Sequence, residues 1–286
     1  MSQQSLQADK RGYLLEQFRL FHIQSRESGA FPPHYHEFHK LVYLCAGQLR
    51  YLVEGREYAL QPGDLLLIPA HAIHQPVIDP QRLYDRFVLW LQPQVYEELG
   101  LNACFTGCAE SGCYLLPQDR YDHTAVAGLL RAMEVASRGE ALGDGVLLDA
   151  YLRQMLVLLA RAVQGRSAVF GGVSDPKIDE ILLYIKDNLR QDLSIEELSS
   201  RFYLSRSRLM HRFKEVTGCS VHQYVLQKRL ILASQLLLQG QTVAAAAENA
   251  GFSDYSAFLR CFRRAYHVPP GSYRSSQNLF TTEETL

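Results

Sequence analysis

Ten histidines are spread through this chain, and four of them fall where they could act together. His34 and His36 are separated by one residue, so on a strand both imidazoles face the same way. His71 and His74 lie in the loop after the strand-like run "GDLLLIP". Imidazoles grouped in this way have three uses. They hydrogen-bond a small organic effector in a pocket, they hold a divalent metal such as zinc or nickel, or they are satisfied in turns near the surface. No carboxylate is spaced to work beside them as a general base, which argues against an enzyme. Cys104, Cys108 and Cys113 stand four and five apart, unlike the C-x2-C of a structural zinc knuckle, and only His123 follows nearby. They read as a loop.

A second set of side chains suits a different chemistry. Arg206, Ser207, Met210, His211 and Lys214 fall on one side of a predicted helix, opposite Leu209 and Phe213. Tyr255, Ser256, Leu259, Arg260 and Arg263 fall likewise opposite Phe258 and Phe262. A guanidinium fork matches guanine O6 and N7, so Arg206 and Arg260 are the expected base readers. Arg208, Arg212 and Arg264 are expected to meet phosphate or solvent.

The elements that must carry these residues are written twice. The first copy reads "LSIEELSSRFYLSRSRLMHRFKEVTG" and the second "TVAAAAENAGFSDYSAFLRCFRRAYHVPP". Ser194 with Glu197 has the spacing of a capping box, and Ser205 is placed to cap the next helix. In the second copy Thr242 precedes the short helix, Gly251 takes the turn, and Ser253 or Asp254 starts the helix that follows. The serines Ser205 and Ser253 are 48 apart, whereas Phe213 and Phe262 are 49 apart. A short helix, a sharp turn and a second helix make a helix-turn-helix unit, whose second helix enters a DNA major groove.

What joins the copies is itself a helix. Ser220 and Gln223 have capping-box spacing, and "VHQYVLQKRLILASQLLLQG" runs to a stop at Gly240. Tyr224, Leu226, Leu230, Ala233, Leu236 and Leu237 are its expected apolar positions. About 18 residues at 1.5 Å each give roughly 27 Å of rigid spacer, close to the ~34 Å of one DNA turn once part of each unit is added.

These residues resemble the DNA-binding domain of the AraC/XylS family of bacterial transcription regulators. The resemblance rests on "RLMHRFK", Tyr224, Arg229, Leu230, Ala233, Leu237, Leu238 and the run "GFSDYSAFLRCFRRAYHVPPGSYR". Within that run Gly251, Phe252, Phe258, Phe262, Pro269 and Arg274 match the family signature. Two positions depart from it. Ala246 and Ala247 stand where the family usually has Ile-Ala, and His267 where it has Gly. The first loses core volume and the second alters a turn, but neither is a DNA-facing position.

Composition agrees with such a reading. The 286 residues suffice for two domains, and 47% hydrophobic content with a net charge of -1 describes an ordinary soluble chain. Residues 175–274 hold 14 Lys+Arg against 10 Asp+Glu, a net of +4, which leaves 15 against 20, a net of -5, elsewhere. A mildly basic third beside an acidic remainder suits a specific DNA reader. No run of 18 apolar residues exists, and "MSQQSLQADKRGY" lacks a signal h-region, so a bacterial cytoplasmic location without membrane contact is expected. Six irregularly spaced cysteines fit reduced thiols.

Upstream, from about Leu20 to Leu91, short runs alternate with turns, and Gly47, Gly55 and Gly63 punctuate them at eight-residue spacing. Gly55 reads as a hairpin turn and Pro62-Gly63 as a type II turn. Strands this short predict a small antiparallel barrel or jelly roll. Its histidines resemble the cupin motifs, with His34, His36 and His74 in matching places. The motif's Glu falls on Lys40 and its final Asn on Ile78, so a metal would need His71 or His39 as its fourth donor. The resemblance makes the barrel an effector-binding, regulatory domain.

From Tyr121 to Gln164 the period becomes helical. "HTAVAGLLRAMEVASRG" is one helix, stopped by Gly139, and "DGVLLDAYLRQMLVLLARAVQG" another, with Leu148, Tyr151, Leu152, Met155, Leu158 and Leu159 on a broad apolar face. The expected organisation is a cupin-like antiparallel β-barrel at 1–118 and a helical dimerisation region at 119–165. A linker at 166–175 follows, then an all-α domain of two helix-turn-helix units at 176–274 and a tail at 275–286. The function this implies is a transcription regulator that binds promoter DNA as a homodimer under control of a small effector, and meets RNA polymerase if it activates. No cofactor is required, with a divalent metal as the alternative. A metal-binding cupin sensor or enzyme fused to a DNA module, and an architectural DNA-binding dimer without effector, stay open at this point.

Overall fold

The structure, a computed structural model, describes residues 14, 16–25, 31–78, 84–98, 105, 114–164 and 172–275. Cys104, Cys108 and Cys113, most of the linker, and the tail after Ser275 lie outside the described residues. The chain divides into two compact units between Ser174 and Asp175.

The first unit carries eight named strands: β1 Phe18–Ser25, β2 His39–Ala46, β3 Leu49–Val53, β4 Arg56–Leu60, β5 Leu65–Ile68, β6 His74–Val77, β7 Tyr84–Leu91 and β8 Tyr114–Leu116. They form a five-stranded sheet in the order β1-β7-β2-β5-β8 and a three-stranded sheet in the order β4-β3-β6. Every pairing is antiparallel. A short helix α1, Pro93–Glu98, follows β7.

Two turns explain the hairpins. Glu54 and Gly55 both have positive φ, at 48° and 79°, as the tight turn between right-twisted strands β3 and β4 requires. Gly63 sits at φ 90° in the Pro62-Gly63 turn, where Asp64 N–H donates to Gln61 O at 2.9 Å. The Asp64 carboxylate then accepts from Gln61 N and Gln118 N at 2.8 and 3.0 Å, which fixes the turn against the chain leading to the helices.

The larger sheet is buried on both faces. Val42, Leu44, Leu66, Ile68 and Val88 face Leu49, Tyr51, Val53, Tyr58 and Leu60 of the smaller sheet, forming the barrel interior. The alternate residues Leu41, Tyr43, Leu65, Leu67, Phe87 and Leu89 form a second core with helices α2, His123–Ala136, and α3, Asp144–Gln164. Burial on both sides is why "KLVYLCAG" and "RFVLWL" read as nearly unbroken apolar runs. Helix α2 starts where Asp122 accepts from Ala125 N at 3.0 Å and stops at Ala136, three residues before the glycine expected to end it. Helix α3 buries Leu152, Met155, Leu156 and Leu159, and leaves Val146, Leu147 and Val157 exposed. No helix among the described residues is long and apolar enough to cross a membrane.

The linker expected at 166–175 is pinned at its described end. Glu57 and Val173 form a β-bridge on the open edge of β4. Only Ser174 then separates the barrel sheet from Asp175, which caps the second unit's first helix by accepting from Lys177 N and Ile178 N.

The second unit is helical: α4 Pro176–Asp187, α5 Ile195–Arg201, α6 Arg206–Thr217, α7 Val221–Leu238, α8 Val243–Asn249 and α9 Tyr255–Tyr266. Ser205, Ser220, Thr242 and Asp254 each accept from the backbone N–H three residues on. Ser220 and Gln223 make the reciprocal box. Ser194 and Glu197 do not. Ser194 accepts from Glu197 N, but the Glu197 carboxylate turns to Arg201 at 3.0 Å and Asp192 takes the Ser194 N–H instead. Arginine four residues along the same helix face competes successfully for the carboxylate.

Candidate functional site

The paired units share one turn design. Leu204 N–H donates to Ser199 O and Phe252 N–H to Ala247 O, both at 3.0 Å. The residue before each is left-handed: Tyr203 at φ 55° and Gly251 at φ 91°. Gly251 has a second reason to lack a side chain, since a Cβ there would lie 2.1 Å from Leu189 O. Asp254, not Ser253, caps α9, so the register passes from 48 to 49 between the turn and the cap.

Helix α7 holds both units. Tyr224 packs edge-on to Phe213 of α6 with centroids 5.6 Å apart, and Tyr266 of α9 donates to Leu230 O and Ser234 Oγ. The buried positions of α7 include Val225 and Ile231 beside the expected Tyr224, Leu230, Ala233 and Leu237, while Leu226 and Leu236 are half-buried. The helix is therefore wrapped on more than one side, as a hub must be. Arg229 adds a tie, donating to Leu189 O and Gln191 O at 2.9 Å.

With α6 and α9 anchored by Leu209, Phe213, Phe258 and Phe262, their other sides are open. Arg206, Ser207, Arg208, Met210, His211 and Lys214 are exposed on α6, and Tyr255, Ser256, Arg260, Arg263 and Arg264 on α9. Two expected residues are placed differently. Arg212 is half-buried in an ion pair with Asp175, the cap of α4, because it lies beside the buried Phe213 on the side of α6 turned to the helical unit. Leu259 is half-buried beside Phe258. Arg206 pairs with Glu196 at 2.9 Å, but both side chains are more than half exposed, and such a pair is worth about 0–1 kcal/mol. Tyr203, 93% exposed in the turn ahead of α6, was not singled out by sequence. A second unit with Gly at the matching position was the available signal.

The barrel interior gathers polar groups. His34 and His74 bridge through their backbones, and the rings of His34, His36 and His74 come within 4.5–5.2 Å of one another. None of this needs the strand expected for His34 and His36, which lie before β2. His34 Nδ1 meets Pro32 O and His74 Nδ1 meets Ala72 O, each at 2.9 Å. A carbonyl only accepts, so the proton sits on Nδ1 and Nε2 is left as an acceptor.

Lys40 reaches the same place, with Nζ 3.5 Å from His74 Nε2 and 5.6 Å from the Tyr51 ring centroid. Arg86 follows, donating from Nη1 to Tyr51 Oη at 3.0 Å. Burial first, then Arg86, pushes Lys40 down to about 7. Burial and Lys40 push His34 down to about 4 and hold His36 and His74 well below the ordinary imidazole range. These three rings are neutral at pH 7.

The proposed fourth metal donors are elsewhere. His39 Nδ1 accepts from Ala70 N at 3.0 Å and its ring stacks on Phe105 at 3.8 Å, on the sheet face opposite Lys40. His71 acts on His39 electrostatically and does not join the three-histidine group. The donor set is thus three imidazoles with a buried ammonium in the carboxylate's place. That set is a poor fit to a divalent cation, which needs anionic or neutral ligands on every side. A second group, His22, Cys45 and Asp85, has both ring nitrogens of His22 engaged, by Asp85 at 2.7 Å and Glu134 at 2.9 Å. Arg86 and Trp90 were read from sequence only as part of a core strand. Their parity with Val88, which faces the barrel interior, was the signal that could have found them.

Residues 20–156 match the family described as AraC-like ligand binding domain, and residues 198–276 the family described as helix-turn-helix domain. This chain belongs to the AraC/XylS family. Among its relatives are the HTH-type transcriptional activators RhaS of Salmonella arizonae and of Salmonella typhimurium, each 27% identical over 267 residues, covering 87% of this chain and 89% of the relative. Among solved structures, the C-terminal domain of the response regulator yesN from Fusobacterium nucleatum is 31% identical over 34% of this chain and 95% of that chain, with a TM-score of 0.33. ToxT from Vibrio cholerae covers 93% of this chain and 99% of its own at 13% identity and a TM-score of 0.38. This AraC/XylS chain is a DNA-binding transcription regulator with an N-terminal ligand-binding domain.

Proposed function

We propose that this regulator reads two adjacent major-groove segments with α6 and α9 and that a small effector bound inside the barrel controls it. The observation that carries the first part is α7. One capped helix of 18 residues packs against both reading helices, so their separation is fixed by helix geometry at roughly 27 Å plus the flanking contacts. Arg206 and Arg260 are the proposed base readers, and Arg208, Arg263 and Arg264 stand ready for phosphate. Replacing Arg206 or Arg260 by Ala should weaken specific binding by about 1–3 kcal/mol and relax preference at one base pair. An equal loss on scrambled DNA would assign the residue to the phosphates instead.

The second part rests on the buried polar cluster of the barrel, a set of oriented donors and acceptors. The exposed Val146, Leu147 and Val157 of α3 support a homodimer through that helix, and the naming of the relatives as activators supports a contact with RNA polymerase. Sedimentation of the wild-type chain and of Val146→Lys tests the first: the variant should be monomeric at concentrations where the wild type is dimeric.

A further inference from the structure

Among the described residues, the two buried cations of the barrel interior carry no anionic partner. Lys40 is 9% exposed and Arg86 6% exposed. Arg86 meets the Tyr51 hydroxyl and the Tyr84 ring, the latter 4.9 Å from its Cζ, and Lys40 meets His74 and the Tyr51 ring. Among the described residues no salt bridge reaches either one, although eleven other side-chain pairs do form. Removing a charge from water without pairing it is expensive, a cost that Lys40 meets in part by giving up its proton more readily, and an anion bound beside it and Arg86 would relieve that cost.

The polar atoms around them fit that need. Arg86 Nε, Trp90 Nε1 and His36 Nδ1 are buried and make no hydrogen bond. Lys40 lies directly across from Trp90 in the β2–β7 register, and Arg86 lies across from Leu44, so all of these residues belong to one face of one sheet. The His36 ring lies 5.7 Å from that of Trp90, and His34, His36 and Trp90 are only half-buried, which opens the cluster to solvent at the histidine end. Arg86 Nε and Trp90 Nε1 can only donate, and an anion beside Lys40 Nζ would favour its charged, donor-only form. Beside them, His34 offers an Nε2 acceptor, since its Nδ1 proton is spent on Pro32 O, while the Nε2 of His74, likewise an acceptor, already meets Lys40 Nζ at 3.5 Å. A donor group of Lys40, Arg86 and Trp90 thus adjoins acceptors made of neutral rings. Aromatic rings adjoin the cluster: Phe38 lies 4.7 Å from Trp90 and Tyr51 6.5 Å from His74, centroid to centroid.

We infer that the effector of this barrel is a small hydroxylated carboxylate, its carboxylate held by Lys40, Arg86 and Trp90 and a hydroxyl donating to the imidazole of His34. The inference rests on the reading of the barrel as an effector site and adds the charge class of the effector. Lys40 in the place of a carboxylate ligand is then the specificity device: it turns a cation cage into an anion cage.

The test uses the full chain with gluconate, glycerate and tartrate as probes, and with glucose, glycerol and zinc chloride as their neutral and cationic counterparts. Melting temperature and titration calorimetry are the readouts. At about 100 times its dissociation constant, at least one acid should raise the melting temperature by about 5 °C, while its uncharged counterpart leaves it unchanged. Lys40→Met keeps the side-chain volume and removes the charge. It should weaken that acid by about 10- to 100-fold, the loss of one charge-assisted hydrogen bond, and should itself melt no lower than the wild type because an unpaired buried charge is gone. His34→Phe gives a second check should Lys40→Met fold poorly, with a loss that falls on hydroxylated acids and not on acetate. Stabilisation by glucose equal to that by gluconate, retained in Lys40→Met, overturns the inference in favour of a neutral ligand. So does stoichiometric zinc binding that His34→Phe abolishes, or the absence of a shift with every acid. Binding of the same samples to DNA selected from a randomised pool is measured in parallel, so a failed effector class is told apart from a failed regulator.

Discussion

Glu57 and Val173 exchange two backbone hydrogen bonds, Glu57 N–H to Val173 O at 3.0 Å and Val173 N–H to Glu57 O at 2.9 Å. The chain leaving the barrel is thereby added to β4 as one more rung, and Gly172 makes room for it. A Cβ there would stand 2.7 Å from Arg56 Cβ and 3.0 Å from Tyr58 Cζ. Gly172→Val should therefore detach the rung. Amide exchange at Glu57 and Val173 should quicken by about 10-fold or more, and protease should cut this segment faster. Unchanged exchange would show that the rung does not restrain the linker.

The turn of the second helix-turn-helix unit should be the less tolerant of the two. Gly251→Ala puts a methyl onto Leu189 O at a φ of 91°, and we expect a loss of roughly 3 kcal/mol or more in urea unfolding of the helical unit. Tyr203→Gly, at the matching left-handed position with its side chain in solvent, should change stability by less than about 1 kcal/mol. A loss of only about 1 kcal/mol in Gly251→Ala would mean that the backbone angle alone, and not the contact with Leu189, makes Gly251 necessary.

His267 caps α9 from a left-handed conformation at φ 61°, where a side chain is strained. His267→Gly should raise stability by about 0.5–1 kcal/mol. Its exposure means no packing is lost with the ring. A decrease would show that the imidazole has a role beyond the cap.

The barrel unit should be more stable on the acid side of neutrality through His22. Burial lowers the affinity of His22 for a proton, but its hydrogen bonds to Glu134 and Asp85 outweigh this, and the net shift is upward from 6.5. A group whose folded pKa is raised contributes in full below its unfolded value, near 6.5, and loses that contribution as pH climbs through the folded one. The bond from β1 to Glu134 of α2 is what weakens. His22→Gln should flatten stability between pH 6 and pH 8 relative to wild type, as read by the denaturation midpoint. A steeper dependence in the variant would place the titrating group elsewhere.

Salt titration separates the arginines of α6. Arg208→Ala should lower the slope of log affinity against log salt by about 1, as expected for one lost phosphate contact. Arg212→Ala should leave the slope unchanged and lower the melting temperature, because Arg212 is tied to Asp175 at the start of α4.

Much of this was written plainly in the sequence. The repeat of helix, turn and helix was legible because caps and aromatic core positions recur at fixed offsets, and Ser205, Ser220, Thr242, Phe213 and Phe262 do what their spacing predicts. Competition between partners was not legible: local spacing cannot say that Glu197 prefers Arg201, or that Arg212 prefers Asp175 to solvent. The barrel was the harder half. Of the four histidines grouped from the sequence, His34, His36 and His74 meet and His71 does not join them. Lys40 looked like a defect in a metal motif until Arg86, Trp90 and Tyr51 were placed around it by the pairing of β2, β7 and β3, a relationship between strands that no local pattern records.

The central claim is that one chain carries two readers at a distance set by α7. It is tested most directly by footprinting the full chain on its selected site and on a site lengthened by five base pairs between the two motifs that one chain protects. Five base pairs turn the second motif onto the opposite face of the helix, about half of a 10-base-pair turn. With rigid readers, affinity should fall toward the level measured on scrambled DNA and the second motif should lose protection. Unchanged affinity with both motifs still protected would contradict the account, and would leave α9 as a packing element and not a reader.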